Sequence, residues 1–171
     1  MIHLITGGAR SGKSSYAQHL ALSLSSQPVY VATAKIWDDG FAHRVHRHQL
    51  DRGPEWITYE EQLHVSHLPI DNCTVVIDCV TLWLTNFFVL HQYDIHAALE
   101  ALKQEIIALF KKTGTFIIVT NEIGMGVHAE TEVGRKFTDL QGWANQYIAG
   151  LAHQVVLMVS GIPVVIKHRE K

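Results

Sequence analysis

The chain has 171 residues, 47% apolar and 18% charged, long enough to bury one sizeable core and too short to divide comfortably into two. Fourteen Lys and Arg against sixteen Asp and Glu leave a formal charge of -2, which excludes the one-signed field expected of a protein whose main partner is DNA, RNA or an anionic membrane. Twelve histidines qualify that charge, since imidazoles titrate near pH ~6.5; they are either scattered over the surface or, in part, reactive groups.

The chain opens on Met1-Ile2-His3-Leu4-Ile5, with no basic stretch leading into a long apolar run, and nothing approaches the ~18 apolar residues of a membrane span. The first predicted strand is Ile2–Thr6, followed by a glycine loop and a helix over Lys13–Ser25. Pro28–Thr33 is the next strand, and Asp39–Leu50 the next helix. Residues 51–72, rich in turn residues and His, are expected to be a surface excursion. Strand Thr74–Asp78 and helix Thr81–Leu90 follow. Ile95–Lys112 is the clearest helix, with Leu99, Leu102, Ile106, Leu109 and Phe110 on one stripe. Strand Thr115–Thr120 and helix Gly134–Ala152 come next, and Gln154–Ser160 and Pro163–Lys167 form an antiparallel hairpin. Each strand is β-branched or aromatic-rich and reads as buried on both faces, the pattern of a parallel sheet. Cys73 and Cys79, the two cysteines, flank a strand too extended to bridge them, so a reduced, cytoplasmic setting is expected.

Gly7-Gly8-Ala9-Arg10-Ser11-Gly12-Lys13-Ser14 satisfies G-x-x-x-x-G-K-[ST] between a strand and a helix, the context that gives this motif its meaning. Backbone N–H groups and the helix N-terminus face phosphate, Lys13 reaches the outer phosphates, and Ser14 supplies a ligand for Mg²⁺. The expected fold is therefore α/β: a P-loop NTPase-type, doubly wound, mostly parallel sheet with a C-terminal antiparallel hairpin, in one domain of residues 1–171. Asp78, ending a buried strand expected to neighbour the first, is the candidate second Mg²⁺ ligand; the alternative is a carboxylate capping the next helix. A guanine reader of Asn-Lys-x-Asp type is excluded, because no Asn-Lys pair occurs.

His43-Arg44-Val45-His46-Arg47-His48 places three imidazoles and two guanidiniums in six positions, with Arg44/His48 and His43/Arg47 at i,i+4. Neighbouring cations favour neutral, nucleophilic imidazole, and Arg forks suit a triphosphate. A solvated basic face and a Zn²⁺ site are the alternatives, the latter weakened by the absence of a nearby Cys. These residues give a P-loop phosphotransferase with a candidate nucleophilic histidine, and no substrate.

The motifs become specific in series. Ile5 to Ser14, Val31-Ala32-Thr33-Ala34, and Arg44-Val45-x-x-His48-x-x-x-Arg52-x-Pro54-x-Trp56 are followed by Val119-Thr120-Asn121-Glu122-Ile123-Gly124-Met125-Gly126. Gly134-Arg135-x-Phe137-x-Asp139-x-x-Gly142-x-x-Asn145-Gln146 and Val159-Ser160-Gly161-Ile162-Pro163 complete the series. In order and spacing, over nearly the whole chain, this resembles the bifunctional adenosylcobinamide kinase / adenosylcobinamide-phosphate guanylyltransferase family. The resemblance implies phosphorylation of adenosylcobinamide by ATP or GTP, then transfer of GMP from GTP to adenosylcobinamide-phosphate through a GMP-histidine intermediate, with Mg²⁺ as cofactor. Counting four on from Arg44 and four back from Arg52 assigns that histidine to His48, with His46 the second choice. By position, Thr33, Ala34, Lys35, Gln49, Leu50, Asp51, Arg52, Glu60 and Asp78 join the glycine loop as nucleotide-binding residues, although many relatives carry Glu where this chain has Asp78. Glu122, beside a strand end, is either a general base or a structural carboxylate. The family also implies a homo-oligomer, a homotrimer. A single-activity P-loop small-molecule kinase is the alternative function.

Overall fold

A computed structural model describes residues 1–35 and 53–168. The strands among them are β1 (Ile2–Gly7), β2 (Val29–Ala32), β3 (Ile57–Glu60), β4 (Cys73–Asp78), β5 (Gly114–Val119), β6 (Gln154–Val159) and β7 (Ile162–His168). They build one sheet in the order β3-β2-β4-β5-β1-β6-β7, parallel throughout except for the β6–β7 hairpin. The helices are α1 (Lys13–Leu24), α2 (Val80–Leu90), α3 (Ile95–Lys111) and α4 (Glu132–Leu151). The predicted helix Asp39–Leu50 lies outside the described residues.

Side-chain alternation along the central strands divides the core in two. Ile2 and Leu4 of β1, Val75 and Ile77 of β4, and Phe116 and Ile118 of β5 pack under α2, α3 and α4, around the fully buried Trp83. Ile5, Val76, Ile117 and Val119 face the other way, against Ala17 and Ala21 of α1. Both faces being covered, the strands read as continuous apolar runs, as expected of a parallel sheet.

Two readings of the sequence need correction. Residues 51–72 are more than a surface excursion: they contain β3, a 3₁₀ turn at Val65–His67, and Val65 and Ile70 with no solvent exposure. Strand β3 escapes a periodicity reading because it has four residues and sits at the sheet edge, where three of them are exposed. At the opposite edge β7 is exposed along nearly its whole length, Ile162 at 65% and Ile166 at 59%, rather than buried on both faces. The cysteines are free and stand at the two ends of β4, about 20 Å apart at strand rise.

Candidate active site

Strands β1 to β6 apart from the hairpin return run the same way, so their C-terminal ends share one edge, where open α/β sheets take ligands. There β1 runs into the glycine loop. Gly7, at φ 148°, has no room for a side chain: a Cβ would lie 2.5 Å from the Met158 carbonyl oxygen and 2.9 Å from Ser11 Oγ. Gly12, at φ 94°, is the left-handed residue that starts α1. No side chain caps that helix and its first turn holds no acid, leaving the N-terminal N–H groups available to an anion. Ser11 and Lys13 are buried, while Gly8, Ala9 and Arg10 are exposed. Lys13 Nζ folds back to donate to the Gly8 carbonyl at 2.5 Å, with Ser11 Oγ at 3.5 Å. Burial lowers its pKa, opposed by the side chains of Cys79 and Asp78. The hairpin turn braces the loop, Gly161 N–H donating to the Ser11 carbonyl at 3.0 Å.

Asp78 does not end the strand next to β1. Strand β5 intervenes, with Asp78 level with Val119 and Val119 level with Ile5, which sets Asp78 about 10 Å from β1 along the edge. Helix α1 spans that gap by lying across β4, β5 and β1. Nor does Asp78 cap α2: Cys79 is the N-cap, with no side-chain cap bond, and Asp78 Oδ2 accepts from the Tyr30 hydroxyl at 3.0 Å. Ser14 Oγ, half-buried at the start of α1, makes no hydrogen bond among the described residues. The Cys79 thiol, buried and beside Asp78, is pushed up to about 12.

The remaining candidates separate from the loop. Thr33 is fully buried and its hydroxyl donates to the Cys79 carbonyl at 2.8 Å. Its own carbonyl accepts from Asn86 Nδ2 at 2.8 Å, so Thr33 ties β2 to α2. Ala34 is half-buried, and Lys35 and Glu60 are exposed. Glu60 stands level with Ala32 and Asp78, but four strand spacings, about 19 Å, from β1. His46, His48, Gln49, Leu50, Asp51 and Arg52 lie outside the described residues.

A polar network behind the glycine loop went unread in the sequence apart from its carboxylate. Glu122 follows β5, and its N–H donates to the Gly7 carbonyl at 3.1 Å. Its Oε1 accepts from Thr6 Oγ1 at 2.7 Å and from Asn145 Nδ2 at 3.0 Å; no bond to Oε2 is made among the described residues. Asn145 is fixed in turn: Oδ1 accepts from Thr120 Oγ1 at 2.7 Å and from Gln141 Nε2 at 2.9 Å. The available signal was a polar i,i+4 pair, Gln141 and Asn145, on the same buried stripe as Leu140, Ala144 and Ile148. Beyond Glu122 the connection to α4 exposes Met125 at 77% and Val127 at 97%.

Residues 3–166 match the family model described as cobinamide kinase / cobinamide phosphate guanyltransferase. The bifunctional adenosylcobalamin biosynthesis protein CobU of Escherichia coli (strain K12) is 38% identical, the match covering 98% of this chain and 100% of that one. The protein of the same description called CobP, from Pseudomonas aeruginosa, is 36% identical over 98% of each. Among solved structures, the flagellar accessory protein FlaH of Methanocaldococcus jannaschii superposes at TM-score 0.50 with 13% identity, covering 98% of this chain and 78% of its own. The ATPase domain of G40P does so at 0.50 with 11% identity, covering 99% and 77%. These last two likenesses concern the fold, that of P-loop NTPases.

Proposed function

We propose, starting from the fact that this chain belongs to the cobinamide kinase / cobinamide phosphate guanyltransferase family, that its two reactions use opposite ends of one sheet edge within a single domain, residues 1–171. Kinase chemistry falls to the glycine loop. Gly7, Gly8, Ala9, Arg10, Ser11, Gly12, Lys13 and Ser14 cradle the triphosphate, and Lys13 leaves the Gly8 carbonyl to bind its outer phosphates. The observation that carries this half is the α1 N-terminus without a side-chain cap, together with Glu122, bonded to Gly7 at the start of the loop, one of its carboxylate oxygens held by Thr6 and Asn145 and the other without a partner among the described residues. Glu122 Oε2 takes the proton of the aminopropanol hydroxyl as its oxygen attacks the γ-phosphorus and the bond to the leaving nucleoside diphosphate breaks. Ser14 and Asp78 suit Mg²⁺: both offer hard oxygens, Ser14 Oγ makes no hydrogen bond among the described residues, and Asp78 uses one oxygen on Tyr30. Bound there, Mg²⁺ neutralises phosphate charge.

Guanylyl transfer falls to the segment that leaves β2 after Lys35 and returns before β3, with Thr33, Ala34, Lys35 and Glu60 at its base and Gln49, Leu50, Asp51 and Arg52 at its end. A ring nitrogen of His48, with His46 as second choice, attacks the α-phosphorus of GTP and pyrophosphate leaves. The phosphate of adenosylcobinamide-phosphate then attacks the same phosphorus, the P–N bond breaks, and adenosylcobinamide-GDP forms with histidine regenerated. The exposed Met125 and Val127 offer apolar surface to the corrin ring beside Glu122. The apolar edge at β7, exposed among the described residues, supports a homo-oligomer, a homotrimer in the family's pattern, and the free cysteines fit a reduced, cytoplasmic setting. No helix of the described residues is long and apolar enough to cross a membrane.

Incubation with α-labelled GTP tests the reading. Acid-labile label is expected on wild-type protein and on Glu122→Gln, and none on His48→Ala. Transfer of γ-phosphate to adenosylcobinamide without any α-label on wild-type protein would instead establish a single-activity kinase.

A further inference from the structure

On the sheet face opposite α1, the connection between β3 and β4 crosses α3 and brings together His64, His67 and Glu105, one ligand atom from each lying within 4.8 Å of the other two. We propose that these three residues form a site for a borderline divalent ion of the Zn²⁺ class, separate from the nucleotide chemistry.

The geometry is close to what such an ion asks for. In a tetrahedral site with bonds near 2.0–2.1 Å, ligand atoms stand about 3.4 Å apart. His64 Nδ1 and Glu105 Oε1 are already 3.5 Å apart. The His64 and His67 rings lie nearly parallel, 13° between planes and 5.1 Å between centroids, and both are exposed, so His67 can close the remaining distance by rotation.

The anchor is set from within. Glu105 is buried at 8% exposure on the stripe of α3 that carries Leu102, Ile106 and Leu109. Its Oε2 accepts from Ser66 N–H at 2.8 Å, which fixes the carboxylate against the turn bearing both histidines. A carboxylate so desolvated calls for a compensating positive charge, and two imidazoles with one carboxylate are a donor set for Zn²⁺, Ni²⁺ or Cu²⁺ rather than Mg²⁺. The turn itself is held in place: the Glu61 carboxylate accepts from His64 N–H at 2.9 Å, Trp83 Nε1 donates to the Leu63 carbonyl at 2.9 Å, and Asn86 Nδ2 donates to that of Gln62 at 3.0 Å. The ion fastens this connection to α3, and a water molecule completes its shell.

Full-length protein stripped by chelator and freed of nucleotide is titrated with Zn²⁺ against a chromogenic competitor. Wild type is expected to bind one equivalent more than His64→Ala, His67→Ala or Glu105→Gln. Residual affinity at this site should fall by more than the about 10–100-fold that loss of an outer partner of a ligand costs. Counting equivalents against wild type separates this site from any binding by His43, His46 and His48. Glu105→Gln keeps an acceptor for Ser66 N–H; should it fold poorly, the exposed His67→Ala decides. Equal stoichiometry and affinity in wild type and His67→Ala, or binding in wild type only at millimolar Zn²⁺, would overturn the proposal.

Discussion

Among the described residues the Glu122 side chain takes its hydrogen bonds, from Thr6 and Asn145, on one carboxylate oxygen, an arrangement that fixes the group without using up its basic edge. Glutamine preserves the acceptor for Thr6 and Asn145 and removes the base. Glu122→Gln is therefore expected to lower kinase kcat by about 10²–10⁴-fold, with self-guanylylation by GTP unchanged, as separate assays of the two half-reactions would read. Lys13→Ala removes the cation that reaches the outer phosphates and should abolish phosphorylation of adenosylcobinamide, with a raised KM for nucleotide in any residual activity. The buried Cys79 thiol, pushed up to about 12, is almost wholly protonated at pH 8 and should resist alkylation in the folded protein, whereas Cys73, half-buried at the other end of β4, reacts first; peptide mass analysis after iodoacetamide treatment distinguishes them. These roles were partly legible beforehand. The glycine loop announces its conformation because few residue types satisfy it. The partner that orients Glu122 did not, because Asn145 is 23 positions away in sequence and meets it only when α4 packs beside β1.

At the level of elements, caps and edges decide more than propensity does. Helix α4 begins where the Thr131 side chain accepts from Gly134 N–H at 3.0 Å, two residues before the predicted start. Thr131→Ala should cost about 1 kcal/mol, a fall in Tm of about 2–4 °C for a chain of this size, measurable by calorimetry. The opposite choice is made at α1, whose N-terminus is left without a cap where phosphate is to bind. The C-terminal hairpin, recognisable from two apolar runs around Gly161-Ile162, has a role that its own residues do not reveal. Its turn supports the glycine loop through Gly161 and Ser11, and the Met158 carbonyl excludes any side chain at Gly7. Lys167, near the end of β7, donates to the Ala149 and Gly150 carbonyls in the last turn of α4, closing the hairpin onto the helical layer. Strand β3 shows the converse: four residues at an edge are too few to carry a period, and pairing with β2 makes them a strand.

Across the molecule, charge on histidine couples stability to pH at the sheet end away from the active edge. His3 is buried beside Gln154, and desolvation holds its imidazole below the ordinary value, against the raising effect of its hydrogen bond and with the Met1 amino group, His153 and His168 adding repulsion. The unfolded chain therefore takes up this proton more readily than the folded one. That contribution to stability is intact above about pH 6.5 and is lost as pH falls from there through the folded-state value. Tm should fall between pH 7 and pH 5, with a shallower slope in His3→Gln. Composition, the short β-branched and aromatic-rich apolar runs, the period-3.6 stripes between them and the glycine loop determined the fold class, the parallel sheet with its hairpin and the phosphate-binding loop, because each depends on residues close together in sequence. Strand order had no such local code. That β5 lies between β1 and β4, setting Asp78 about 10 Å along the edge, that Glu122 is held by Thr6 and Asn145, and that His64 and His67 meet Glu105 are products of packing between segments distant in the chain. The tertiary structure alone decided them, since such contacts are set by which buried faces cover one another.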